Sequence, residues 1–96
     1  MKYFDWNIEK NEELTLTRGV SFEEIVFHLM GEGLIEIIEH PHREKYKDQK
    51  VFIANVENYI YLVPFVESED TIFLKTIIPS RKMTRKYLGG AEDEKN

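Results

Sequence analysis

The sequence predicts an α+β domain: two helices on one face of an antiparallel sheet, followed by a short basic helix. Three observations predict it. Apolar residues recur at helical spacing only in the first third of the chain, where Phe22, Ile25, Val26, Leu29 and Met30 make one stripe. From Leu34 onward the apolar runs are short and rich in β-branched residues, as strands are. The last of these runs are joined by turns of a few residues, which suits an antiparallel meander. The expected order is β-α-α-β-β-β-β-α in a single domain over residues 1–90. Residues 91–96, AEDEKN, form an acidic tail expected to be disordered, because it has nothing to bury.

Taken in order, residues 2–6 (KYFDW) read as a short first strand with aromatic weight. Asn7 is placed to cap a polar helix over residues 8–17, whose main apolar residues are Ile8, Leu14 and Leu16, and Gly19 ends it. Ser21-Phe22-Glu23-Glu24 is a capping box, with Val20 and Ile25 as the hydrophobic staple across it, and Gly31 and Gly33 stop this second helix. Leu34–Glu39 is a strand, residues 40–50 a loop, and residues 51–56 the next strand. Glu57-Asn58 is a tight reverse connection, since asparagine tolerates positive φ. Residues 59–66 form a strand in which Pro64 predicts an edge position or a bulge. After a polar turn over residues 67–70, residues 71–78 alternate with apolar side chains on both faces, as in a central strand buried on both sides. Pro79 stops that strand, Ser80 caps a helix filled by Arg81, Lys82, Arg85 and Lys86, and Gly89-Gly90 ends it.

The chain has 96 residues, enough for one small core, and no cysteine, so neither disulfides nor thiolate metal sites. A reducing cytoplasm is the expected setting; no signal-peptide core and no run of membrane-span length is found. The net charge is −5, unevenly spread. Residues 1–40 carry three basic and nine acidic side chains, whereas residues 41–50 carry four basic and two acidic, and residues 80–96 five and three. Two basic islands therefore sit in an acidic chain. The acidic total argues against broad, non-specific nucleic-acid binding but leaves room for a local cationic site. Arg81 and Lys82 lie in a first helical turn, where the macrodipole disfavours cations by a few tenths of a kcal/mol. An anionic ligand is the simplest reason for them.

Three motifs carry a family resemblance. They are Phe4-Asp5-Trp6-Asn7 followed by Lys10; Gly19-Val20-Ser21-Phe22-Glu23-Glu24; and Ile77-Ile78-Pro79-Ser80-Arg81-Lys82-Met83-Thr84. In this order and spacing the chain resembles the BrnT family of toxins from bacterial type II toxin–antitoxin systems, over residues 3–87. The resemblance implies a RelE-like fold and metal-independent endoribonuclease activity that cuts RNA and arrests growth, with no cofactor. It also implies neutralisation by a ribbon-helix-helix antitoxin, through which alone the complex would meet operator DNA. The chain departs from the pattern at Leu14, where many members carry asparagine, and at Arg18, where many carry histidine; Pro79 and Ser80 replace a Ser-Ala pair. These departures motivate the alternative, a catalytically inactive member that binds the antitoxin and serves regulation.

Metal-free RNA cleavage uses the 2′-hydroxyl as nucleophile. It needs a base for that proton, an acid for the leaving 5′-oxygen and cations for the charge on phosphorus. The catalytic candidates are Arg43, Glu44, Lys45 and Arg81, with His40 and His42 available for proton transfer. Lys47, Lys82 and Arg85 are candidates for holding RNA phosphates, and Tyr46 and Tyr87 for stacking on an unstacked base. These assignments require the 40–50 loop to approach the Arg81 helix and form a cleft. Against them stand simpler readings. A basic loop is more often a solvated surface, HPH lacks the helical i, i+4 spacing of a familiar zinc pair, and Ser21 is a cap and not a nucleophile. Trp6, Phe22, Phe52 and Phe73 are read as core, and Glu9, Glu12, Glu13, Glu23 and Glu24 as a solvated helical face or a seat for a basic antitoxin segment.

Overall fold

A computed structural model describes residues 2–89 as an α+β fold with three helices and a mixed, open, six-stranded sheet. Strand β1 (Tyr3–Trp6) leads into α1 (Ile8–Arg18), which Asn7 caps by accepting from the Lys10 amide at 2.8 Å. Gly19 closes that helix at φ 71°, a left-handed conformation that glycine adopts without a Cβ clash. Helix α2 (Phe22–Met30) begins with the complete capping box: the Glu24 amide donates to Ser21 Oγ, and the Ser21 amide to Glu24 Oε1, each at 3.1 Å. Val20 and Ile25, the staple, are both buried.

Four antiparallel strands follow as a meander: β2 (Leu34–Glu39), β3 (Gln49–Val56), β4 (Tyr59–Glu67) and β5 (Thr71–Leu74). Glu57 and Asn58 turn β3 into β4 with φ of 53° and 68°, the two positive values of a type I′ hairpin turn. The strand expected over residues 71–78 is interrupted. β5 pairs with Phe65, Val66 and Glu67, a short β6 (Ile78–Pro79) pairs with Leu62 and Tyr61, and the register slips by one residue between them. This bulge explains Pro64. The residue is buried within central strand β4, not at an edge; its carbonyl accepts from Lys75 N–H at 2.8 Å, on the bulged side, so its missing N–H removes nothing from the β3 ladder. Nor is the sheet wholly antiparallel. β1 lies parallel to β5 and forms one edge, β2 the other.

The main core lies between α1, α2 and one face of the sheet. Leu14, Phe22, Ile25 and Leu29 meet Phe52, Ala54, Val56, Val63, Phe65, Leu74 and Ile77 there, with Trp6 stacked on Phe22 at 5.6 Å. Burying side chains of this size contributes roughly 1.5–3 kcal/mol each. Two residues expected to pack inward lie outside it: Met30 is exposed, and Phe73 is half-buried with Lys75 Nζ 5.5 Å from its ring centre; of the apolar residues of α1, Leu14 alone is buried, and Ile8 and Leu16 are exposed. Helix α3 (Arg81–Tyr87) takes the second face, where Val51, Ile53 and Ile60 are buried. The acidic tail expected over residues 91–96 lies outside the described residues.

Candidate functional site

The first basic island is the loop over residues 40–48. Its backbone turns once, with Lys45 and Tyr46 amides donating to the His42 carbonyl at 3.1 and 2.9 Å, and the Gln49 amide to the Tyr46 carbonyl at 2.9 Å. The ring of Tyr46 lies 4.5 Å from that of His40, giving the loop a small internal nucleus. The His42 amide donates to His40 Nδ1 at 3.0 Å, so a neutral His40 keeps its proton on Nε2. Lys45 Nζ stands 5.3 Å from the Tyr46 ring centre. Arg43 Nε is 3.7 Å from Glu39 Oε1, and both side chains are exposed. Exposed pairs of this kind contribute about 0–1 kcal/mol, so a phosphate can take Arg43 from Glu39 at small cost. Among the described residues, 41–47 line an open concavity of about 950 Å³.

The second island is α3. Ser80 Oγ accepts from the Met83 amide at 3.1 Å, as a cap. Thr84 clamps the helix to β4: its Oγ1 accepts from the Ile60 amide at 2.8 Å and donates to the Ser80 carbonyl at 2.7 Å. At the far end Tyr87 Oη donates to Glu36 Oε1 at 2.9 Å, and this bond to a carboxylate raises the pKa of the phenol. The helix thus crosses from β4 to β2 with Arg81, Lys82, Arg85 and Lys86 exposed.

The register sets the relation between the two islands. Tyr87 meets Glu36 at the level of the Glu36–Ile53 pair, whereas the loop springs from the Glu39–Lys50 pair. Three residues of strand separate them, or roughly 10 Å. The last turn of α3 is therefore the end nearer the loop, and Arg81 is the farther one. Arg43, Glu44, Lys45, Tyr46 and Lys47 share one concavity; Arg81, Lys82, Arg85 and Tyr87 do not line it. The side chains reserved for base stacking are also engaged, Tyr46 with His40 and Tyr87 with Glu36.

Two residues with structural leverage were missed. Asn11 joins the first two helices, its Oδ1 accepting from the Phe22 amide at 2.7 Å and its Nδ2 donating to Glu23 Oε1 at 2.8 Å. Asparagine is a poor helix-interior residue, and its position inside a helix was the available signal. Arg18 donates to the Ile77 carbonyl, inside the β5–β6 break. Nothing in local sequence announces that contact across 59 positions. A second, smaller concavity of about 490 Å³ lies between α1 and β5, with Lys10 and Lys75 set against Glu9 and Glu13.

Among the described residues no three His, Cys, Asp or Glu side chains gather to hold a metal ion, and no helix is long and apolar enough to cross a membrane. No family model, no curated protein and no solved structure matches this chain.

Proposed function

We propose that this chain is the toxin of a type II toxin–antitoxin pair: a RelE-like, metal-independent endoribonuclease of the cytoplasm, held inactive by a ribbon-helix-helix antitoxin. The observation that carries the reading is the order and spacing of the three BrnT-like motifs along residues 3–87. The exposed cations of the loop and of α3 support it. In this reading Arg43 and Lys45 hold the scissile phosphate and oppose the charge that grows on it. Glu44, beside them, takes the 2′-hydroxyl proton as that oxygen attacks phosphorus, and His40 Nε2 or Lys45 returns a proton to the departing 5′-oxygen. RNA lying along α3 passes from Arg81, Lys82 and Arg85 over the last turn of the helix to the loop. Operator DNA is met only through the antitoxin.

One observation favours a second reading, that of an inactive, antitoxin-binding regulator. Arg81 does not share the loop concavity, so the four catalytic candidates do not converge on one point. Transcript integrity in cells producing this chain alone, beside an Arg43→Ala, Arg81→Ala double variant, separates the two. Cleavage by the native chain and none by the folded variant is the expected result. Intact RNA and normal growth in both cases would turn the reading to the inactive regulator, and cleavage by both would remove these residues from the site.

A further inference from the structure

The backbone of the 40–48 loop turns on His40. The His40 amide donates to the Gln49 carbonyl at 3.4 Å, where the loop leaves the β2–β3 ladder. Its side chain is half-buried against the half-buried Tyr46, with ring centres 4.5 Å apart. Its Nδ1 accepts from the His42 amide at 3.0 Å, two residues further on. Asparagine and aspartate close turns in this way, and the fixed φ of Pro41 between the two histidines suits such a turn. Nδ1 stands as many bonds from the backbone as an asparagine Oδ1, so the imidazole copies that acceptor. With its amide held, His42 presents the carbonyl that takes the Lys45 and Tyr46 amides at 3.1 and 2.9 Å. Arg43, Glu44 and Lys45 lie inside that second turn, so their directions follow from it.

One charge state of the ring alone can make the turn-closing bond. A neutral imidazole has one bare nitrogen that accepts; an imidazolium carries N–H on both nitrogens and accepts nothing. Histidine is the side chain that makes this change between pH 5 and 8. Several titratable or charged groups stand around His40. The loop contributes Tyr46 and the His42 ring at 6.0 Å, with Lys45 Nζ 5.3 Å from the Tyr46 ring centre. Strand β2 contributes Glu39, whose carboxylate pairs with Arg43, and β3 contributes Lys50, opposite Glu39 in the ladder. The face of Tyr46 attracts an imidazolium as well as it packs a neutral ring. Protonation would therefore spare the stack and remove the bond that closes the turn.

We infer that His40 is the positioning residue of the loop site: neutral, it closes the turn that aims Arg43 and Lys45 at a phosphate, and on taking a second proton it releases that turn. The inference rests on the function proposed above only for what the loop serves. It also narrows that reading. A neutral ring whose bare nitrogen is engaged could give its Nε2 proton to the leaving 5′-oxygen only by becoming an imidazolate, so the acid's role falls to Lys45. The test reads the loop and not RNA cleavage, so the two can fail separately.

The full chain, labelled with nitrogen-15, is titrated from about pH 8 to about pH 5, across the histidine range. The two ring nitrogens of His40 and the amides of residues 42–46 are followed together. At the alkaline end the ring should carry its proton on Nε2 and none on Nδ1. As the pH falls, the His42, Lys45 and Tyr46 amides should move in step with that ring. His40→Asn keeps an acceptor in the same place and has nothing to titrate, so its loop amides should stay near the native alkaline positions at every pH. His40→Ala removes the acceptor, and its loop amides should stand near the native acid positions throughout. His42→Gln should keep the transition, which separates His40 from its neighbour. Four results would overturn the inference: a proton on Nδ1 at the alkaline end; loop amides that do not follow the His40 ring; a transition that survives His40→Asn or vanishes in His42→Gln; or loop amides of His40→Ala that match those of His40→Asn.

Discussion

At the junction of α1 and α2, Asn11, Ser21 and Glu24 are all tied down: Asn11 bonds the Phe22 amide and Glu23, and Ser21 and Glu24 bond each other's backbone. In the loop over residues 40–48, Arg43, Glu44, Lys45 and Lys47 are equally polar, and among the described residues their one side-chain ion-pair partner beyond the loop is Glu39. The first region spends its polar groups on backbone donors that would otherwise lack acceptors, which is a folding task. The second leaves cations and a carboxylate facing water around an open concavity, and those groups remain available to a ligand. Polar residues of the same kinds thus carry different meaning according to whether the backbone already claims them.

The largest effect that sharpens the contrast is expected beneath the first region. Phe22 is fully buried and stacks on Trp6. Phe22→Ala should lower stability by about 3–5 kcal/mol, measured by equilibrium denaturant unfolding. A smaller loss would mean that the junction tolerates collapse and is less specified than its hydrogen bonds suggest. Next comes the direct comparison. Asn11→Leu removes the acceptor of the Phe22 amide and should cost about 1–3 kcal/mol. Arg43→Ala with Lys45→Ala should stay within about 0.5 kcal/mol while abolishing RNA cleavage. A loop variant that unfolds as readily as Asn11→Leu would break the comparison.

The smallest effect concerns pH. The bond from Asn11 holds the Glu23 carboxyl below its ordinary value of 4.5, helped by a bond to its own backbone. A carboxyl with a depressed folded value supports the fold above its unfolded value, and that support is lost as the pH falls through the folded value. Below about pH 4.5 the junction should therefore begin to lose this contribution. A carbon-13 titration should find Glu23 below the ordinary value in the native chain and closer to it in Asn11→Leu. Glu67, lowered by its bond from Lys2 at 2.8 Å, should not move in that variant, which makes it the internal control.

Legibility followed the range of each interaction. The capping box, the left-handed Gly19, the Glu57-Asn58 turn and the bounds of Leu34–Glu39 were all written within a few neighbouring residues. The apolar stripe of α2 was legible in its buried members but not at Met30, which points outward although its spacing fits. The basic residues of the candidate site were visible as two islands, yet their separation was not, because it depends on where α3 crosses the sheet. That crossing is set by Thr84 on Ile60 and by Tyr87 on Glu36, pairs 24 and 51 positions apart.

The sequence by itself determined the helices, their caps, the hairpin turns and the meander of β2 to β5, because each rests on backbone geometry that a few adjacent side chains control. The tertiary structure alone decided that β1 runs parallel beside β5, that the strand after residue 74 breaks opposite Pro64, and that Arg18 reaches the carbonyl freed there. It also set β2 at the edge of the sheet among the described residues. Such outcomes depend on which distant backbone groups meet, and a donor or acceptor has no local signature for a partner that folding brings from elsewhere in the chain.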